Sequence, residues 1–352
     1  MILFFLSSGL FLGWSLGAND AANVFGTAVG ARMVRFRVAA WICSIFVIIG
    51  AVAGGAGAAH TLGKLGSVTA IAGAFMVALA AAFTVFWMTR LRIPVSTSQA
   101  IVGAIIGWNF FSGSPTDYSS LRDILATWVL CPVLAAVFAV VLYKAFSLAF
   151  LSMKIHLLRQ DYYTRMGLLL VGAFGSYSLG ANNIANVMGV FVPVAPFDAL
   201  LLPGGLSISP AQQLFFLGGL AIAAGVFTYS RKVMETVGNS LMRLSPEAAL
   251  VVVLAQALVL FIFSSRELQQ GMVSLGLPAI PLVPVSSSQA VVGAIIGIGL
   301  LKGVRTIRYK VLAEIAAGWV MTPVIAGVIT FIALFFMQNV FGQKVVALVG
   351  LW

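Results

Sequence analysis

The sequence predicts an all-α, polytopic membrane protein with about ten transmembrane helices or helical hairpins in two inverted-topology repeats of five. Three observations lead there: an oily composition, a set of motifs that occurs twice in the same order, and a lopsided distribution of basic residues. Of 352 residues, 61% are hydrophobic and 8% charged, with a mean hydropathy of +1.09. A water-soluble domain carries about a quarter of its residues as charges, so this chain belongs in a bilayer. Apolar runs of about 20 residues recur from end to end, each able to cross roughly 30 Å of hydrocarbon as a helix. The short alternating segments of a membrane β-barrel are absent, which leaves helices to satisfy the backbone in lipid.

The formal charge of +11 would suggest nucleic-acid binding in a soluble protein. Here the basic residues sit in short groups between apolar runs, where they orient helices, and no nucleic-acid partner is expected. Cys43 and Cys131 lie within apolar segments and read as packing residues, not as a disulfide framework or metal site.

Taken in order, the apolar runs predict helices near 1–30, 36–58, 68–89, 94–111 and 121–150, then 166–190, 210–229, 246–265, 284–301 and 310–337. The segment Met1 to Leu16 lacks a basic leader and runs into a polar motif, so it reads as the first membrane helix rather than a cleaved signal. The first repeat spans 1–151, a basic connector 152–165, and the second repeat 166–352.

Three matched segments define the repeats. Gly17-Ala-Asn-Asp-Ala-Ala-Asn23-Val-Phe-Gly26 matches Gly180-Ala-Asn-Asn-Ile-Ala-Asn186-Val-Met-Gly189. Pro94-Val-Ser-Thr-Ser-Gln-Ala-Ile-Val-Gly-Ala-Ile-Ile-Gly107 matches Pro284-Val-Ser-Ser-Ser-Gln-Ala-Val-Val-Gly-Ala-Ile-Ile-Gly297. Asp123 to Pro132 matches Glu314 to Pro323.

Orientation follows from the basic residues. Arg32, Arg35, Arg37, Arg90, Arg92, Lys154, Arg159, Arg165, Arg231, Lys232, Arg243, Lys302, Arg305, Arg308 and Lys310 collect on one side of a ten-helix arrangement. Only Lys64, Arg122, Arg266 and Lys344 fall on the other. This puts the connector in the cytoplasm and both termini outside a plasma (inner) membrane. Five crossings per unit insert the second unit upside down, and inverted repeats place a binding site near the midplane at interrupted helices. If the Pro94 and Pro284 segments re-enter as hairpins instead of crossing, both the count and the parity change.

Chemistry concentrates in the repeated motifs. After each proline, which suits the first turn of a helix, the residues lie at a helix N-terminus. There, free N–H groups and the positive end of the dipole attract an anion. Ser96, Thr97, Ser98 and Gln99, with Ser286, Ser287, Ser288 and Gln289, add neutral donors that suit a tetrahedral oxyanion and can release it. Capping of the helix by the same hydroxyls is the plainer reading of one copy.

Asp20 is an ionisable residue inside a membrane helix, costly there and therefore a functional candidate. Asn19 and Asn23 flank it, and Gly17 and Gly26 are expected to let the helix open and expose carbonyls. The second copy offers Asn182, Asn183 and Asn186. Oxygen ligands of this kind suit Na⁺, while a lone carboxylate also suits a proton. Asp123, Glu314 and Glu247 form a second tier: the first two are expected to cap their helices or to serve gating or the ion path. Gly-x-x-x-Gly spacings at Gly26–Gly30, Gly103–Gly107 and Gly293–Gly297 permit internal helix packing or a homodimer.

These paired motifs, from Gly17 to Pro323, resemble the inorganic phosphate transporter (PiT) family, which includes sodium- and proton-coupled phosphate permeases. The resemblance implies uptake of inorganic phosphate by symport with Na⁺, alternating access and no cofactor. The phosphate would be held by Ser96, Thr97, Ser98, Gln99 and Ser286 to Gln289 with Asn23 and Asn186. The cation would be held by Asp20, Asn19, Asn23, Asn182, Asn183 and Asn186. Two departures bear on coupling: Asn183 stands where many members have aspartate, and Gln99 and Gln289 stand where some have histidine. Proton–phosphate, metal–phosphate or sulfate transport on the same fold is the alternative. A serine-nucleophile enzyme is disfavoured because no His or Lys lies near either serine cluster to act as base.

Overall fold

Glycine and proline punctuate the apolar runs more finely than hydropathy does. The computed structural model describes residues 2–346 apart from 67, 92, 94, 154–155, 202–206, 238–243 and 304–307. Arg92, Pro94, Lys154, Arg243 and Arg305 thus lie outside the described residues.

The first half consists of α1 (Ile2–Gly30), α2 (Phe36–Gly54), α3 (Ala56–Leu65), α4 (Ile71–Arg90), α5 (Thr97–Ser112) and α6 (Tyr118–Met153). The second consists of α7 (Leu157–Met188), α8 (Pro210–Thr228), α9 (Ser230–Val237), α10 (Pro246–Ile262), α11 (Arg266–Ser274), α12 (Ser287–Lys302) and α13 (Tyr309–Asn339). The expected helix over 36–58 breaks at Gly55, and the one over 246–265 ends at Ile262, with α11 turned 68° from α10. Residues 157–165, expected to belong to the connector, are already the start of α7.

Among the described residues, six helices are long and apolar enough to cross a membrane, and a seventh if the bent α10–α11 pair is one span. The ten crossings expected from the apolar runs exceed this for a simple reason. With 16 residues each, α5 and α12 reach about 24 Å at 1.5 Å per residue, short of roughly 30 Å of hydrocarbon. Long α7 carries Arg159, Asp161, Arg165 and three asparagines, which dilute its apolar character.

Elements of the two halves pack by exchange. Helix α5 of the first half lies along α13, and α12 of the second lies along α6; α1 packs on α8 and α7 on α2, while α4 on α1 and α10 on α7 pack within their own halves. Glycines make the closest approaches. A β-carbon at Gly103 would collide with the backbone of Pro323, and one at Gly293 with the backbone of Pro132. Gly107 and Gly297 meet Gly327 and Ala136 in the same way. The spacings at 103–107 and 293–297 therefore serve internal packing. Helices α6 and α13 continue through Pro132 and Pro323, as membrane helices can where neighbours cover the freed backbone groups.

The expectation that Gly17 and Gly26 open their helix needs correction. Both α1 and α7 run unbroken through the asparagine motifs. Gly17 instead admits the backbone of Ile222, and Gly180 that of Val47. The interruption lies elsewhere, in the non-helical residues that lead into Thr97 and Ser287.

Candidate functional site

Each serine motif begins a helix with its own first serine. Ser96 caps α5, accepting from the Gln99 N–H at 3.4 Å, and Ser286 caps α12, accepting from the Gln289 N–H at 3.3 Å. Pro284 stands two residues ahead of the cap rather than within the first helical turn. The two caps meet, with the Ser96 hydroxyl donating to the Ser286 hydroxyl at 2.9 Å, and Ser286 also sharing a hydrogen bond with Ser288 at 2.9 Å. Two helix N-termini, one from each half, thus face each other across a pair of hydroxyls.

The asparagine motifs close in from the sides. Asp20 is buried, only 3% exposed; its carboxylate accepts from the Asn19 amide (3.1 Å) and the Thr97 hydroxyl (3.4 Å) and is hydrogen-bonded to Ser287. Asn23 donates to the Ser287 hydroxyl (3.2 Å). Across the site, Asn186 donates to the Ser98 hydroxyl (2.8 Å) and to the Asn183 amide oxygen (3.1 Å). Asn182 donates to the Val283 carbonyl and Ser98 to the Val285 carbonyl. Helix α1 thus touches the serine motifs of both halves through Asp20 and Asn23.

Satisfaction of these groups is uneven, which is informative because buried polar atoms normally find partners. The side-chain oxygens of Gln99, Gln289, Asn182 and Asn186, and the side-chain nitrogen of Asn183, are buried without a hydrogen-bond partner. The arrangement therefore offers hydroxyl and helix-terminal donors for an anion beside free amide oxygens and one carboxylate for a cation.

The profile of the phosphate transporter family matches residues 16–161, 158–330 and 272–349, which together span nearly the whole chain. The chain belongs to the phosphate transporter family. A candidate phosphate permease of Methanocaldococcus jannaschii is 31% identical over 317 residues, covering 90% of this chain and 91% of that protein. A chloroplast inorganic phosphate transporter of Arabidopsis thaliana is 24% identical, over 89% of this chain and 68% of its own. A solved structure of a sodium-dependent phosphate transporter shares the fold, with a TM-score of 0.75 and 24% identity over 96% of this chain and 98% of that one. The protein is thus a multi-pass membrane protein of a family of transporters rather than enzymes.

The second tier of predicted residues stands apart from this cluster. Asp123 and Glu314 fall on the sixth residue of α6 and α13, and neither lies in the first turn. The capping expected of them is corrected, since the dipole effect fades within that turn. Asp123 pairs with Arg122 at 3.5 Å on the surface, and Glu314 is exposed. Glu247 does sit in the first turn of α10, accepting from Gln160 at 3.2 Å.

One residue at the site and one buried amide in α10 escaped the sequence reading. The Cys131 thiol donates to the Ser286 carbonyl at 3.6 Å, so a residue expected only to pack also holds the second motif. Its signal was the third repeated segment, which ends in Cys131-Pro132 and Thr322-Pro323. Gln256 is a fully buried amide in α10 with both its polar atoms unpartnered. In sequence it stands out as the lone amide in the apolar run Val251 to Leu260.

Proposed function

We propose that this protein is a secondary active symporter that takes up inorganic phosphate with Na⁺ by alternating access across the plasma membrane, its termini outside and its two repeats inverted. One observation carries the reading: the Ser96 and Ser286 caps meet at 2.9 Å while Asp20 is joined to the same cluster through Thr97. Phosphate between the caps would take hydroxyls from Ser96, Thr97, Ser98, Ser286, Ser287 and Ser288, with Asn23 and Asn186 alongside. It would then lie about one hydroxyl away from a carboxylate. Two unit charges 4 Å apart cost about 4 kcal/mol at an effective dielectric of 20, so the anion binds well only when a cation is taken up with it. Asp20, Asn19, Asn23, Asn182, Asn183 and Asn186 supply oxygen ligands for that cation.

Gln99 and Gln289, expected beside the anion, present unpartnered carbonyl oxygens, and these suit the cation better. The exchange of equivalent elements between halves supports the inverted repeat: α5 on α13 answers α12 on α6, and Gly103 on Pro323 answers Gly293 on Pro132. Short α5 and α12, each led in by non-helical residues that complete its crossing, bring helix ends to the midplane.

The test is uptake of labelled phosphate and sulfate into proteoliposomes with Na⁺ and H⁺ gradients imposed separately. Phosphate uptake driven by the Na⁺ gradient, and lost in Asp20→Asn, is expected. Removing one charged ligand costs about 1.5–3 kcal/mol, roughly a 10- to 100-fold loss. Uptake indifferent to Na⁺, or intact in Asp20→Asn, overturns the reading.

A further inference from the structure

A polar cavity of about 480 Å³ lies outside the serine cluster. Its walls come from α3 (His60, Thr61, Lys64), from the approach to α6 and its start (Asp117, Asp123), and from α11 (Arg266). Its floor is the non-helical segment at Leu282 and Val283. That floor is tied to both sides, since Thr61 donates to the Leu282 carbonyl and Asn182 to the Val283 carbonyl. Val283 stands three residues before the Ser286 cap, at most about 10 Å of extended chain.

The cavity lining carries two basic and two acidic side chains. The side of the protein expected to face outward holds few basic residues, yet Lys64 and Arg266 converge on this one space. The two carboxylates there are already engaged. Asp117 accepts from the Ser120 hydroxyl (2.6 Å) and the Ser119 N–H (3.1 Å), and Asp123 pairs with Arg122. The Ser120 hydroxyl, with help from Lys64, holds the Asp117 carboxyl below its ordinary range, so it remains an anion that partly offsets Lys64. Arg266 spends one N–H on the Ala56 carbonyl (2.8 Å). Neither the Arg122–Asp123 nor the Arg165–Asp161 ion pair involves Arg266. A guanidinium with donors to spare, in a cavity lined by a segment that reaches the Ser286 cap three residues later, is a planar fork for an oxyanion.

We propose that this cavity is an antechamber that receives hydrogen phosphate from solution before it reaches the Ser96–Ser286 caps, with Arg266 as its principal ligand and Lys64 and His60 as supporting donors. The inference rests on the phosphate-symport reading and adds to it a first, low-affinity station. Asp117 and Asp123 keep that station weak, so that the anion moves on. Such a station raises capture rate without altering the transport step.

Uptake kinetics in proteoliposomes test this. Arg266→Gln should raise the KM for phosphate roughly tenfold at low ionic strength, leave kcat within about twofold, and lose much of that difference in about 0.5 M salt. Arg266→Lys should restore most of the KM, and Lys64→Gln should shift it the same way by less. A lowered kcat with unchanged KM, unrescued by lysine, would show that Arg266 only clamps α11 to α3 and would overturn the antechamber. If Arg266→Gln fails to accumulate in the membrane, Lys64→Gln and His60→Gln decide by the same criterion.

A readout independent of transport is labelling of Gln270→Cys, a cavity residue, by a negatively charged thiol reagent. Millimolar inorganic phosphate should slow it, including in an Asp20→Asn background where coupled uptake is lost. Labelling that ignores phosphate overturns the antechamber, whereas wild-type uptake that ignores Na⁺ overturns the symport reading alone.

Discussion

At the residue scale, the site divides its polarity between hydroxyls and amide oxygens. Serine and threonine donate from the helix ends, while Gln99, Gln289, Asn182 and Asn186 keep oxygens without donors. A buried acceptor left bare costs about 1–3 kcal/mol, and a cation that satisfies several at once recovers that cost. Gln99→Leu should therefore raise the Na⁺ concentration for half-maximal uptake by about tenfold, an effect on the order of one lost ligand, and move the phosphate KM less. Titrating each ion separately in proteoliposomes checks this, and a larger shift for phosphate would return Gln99 to the anion. The candidacy of these residues was legible in the sequence, because Asp20 and the repeated serines are costly in lipid without a purpose, and the structure gathers them into one hydrogen-bonded cluster. Their division of labour was not, since a glutamine reads as donor and acceptor alike until its surroundings choose one end.

At the element scale, the closest packing is set by what lacks a side chain. Gly103 and Gly293 let α5 and α12 lie against the backbones of Pro323 and Pro132. Ordinary overpacking costs about 1–3 kcal/mol, and a main-chain neighbour cannot rotate aside. Gly103→Val should thus lower the thermal stability of the detergent-solubilised protein, with Gly293→Val matching it. Gly113→Ala should cost less, because that glycine meets no neighbouring atom within 4 Å, though its φ of 69° adds strain of its own. A midpoint for Gly103→Val equal to wild type contradicts the packing. Hydropathy located every long helix but smoothed over short breaks. The turn at Gly55 lies in sequence as apolar as its surroundings, whereas the 68° bend at Ser264-Ser265 and the late start of α5 at Thr97 carry polar residues that a window average dilutes. Helix-terminus chemistry, namely serine accepting from the N–H three residues on, marks the starts of α5 and α12 where hydropathy does not.

At the scale of the whole molecule, each half completes itself with a helix from the other. Expressed as two fragments, 1–155 and 156–352, the chain should recover phosphate uptake only when both are made together. Neither fragment alone should give a monodisperse particle in detergent. A single fragment that behaves as a stable unit would contradict the exchanged packing of α5 on α13 and α12 on α6. Three matched motif pairs made the duplication legible in sequence. The exchange was not, because nothing in a repeated segment records whether it packs within its own copy or against the other.

That exchange also orders events during synthesis. Helix α5 is complete by Ser112, yet its glycine face has no protein partner until Pro323 of α13 has been made about 200 residues later. Until then the first serine motif enters the membrane with one flank against lipid or the insertion machinery. Helix α13, made long after α5, is therefore the one that fixes the first motif in place. Truncations near the C-terminus should damage the Ser96 end of the site before the Ser286 end.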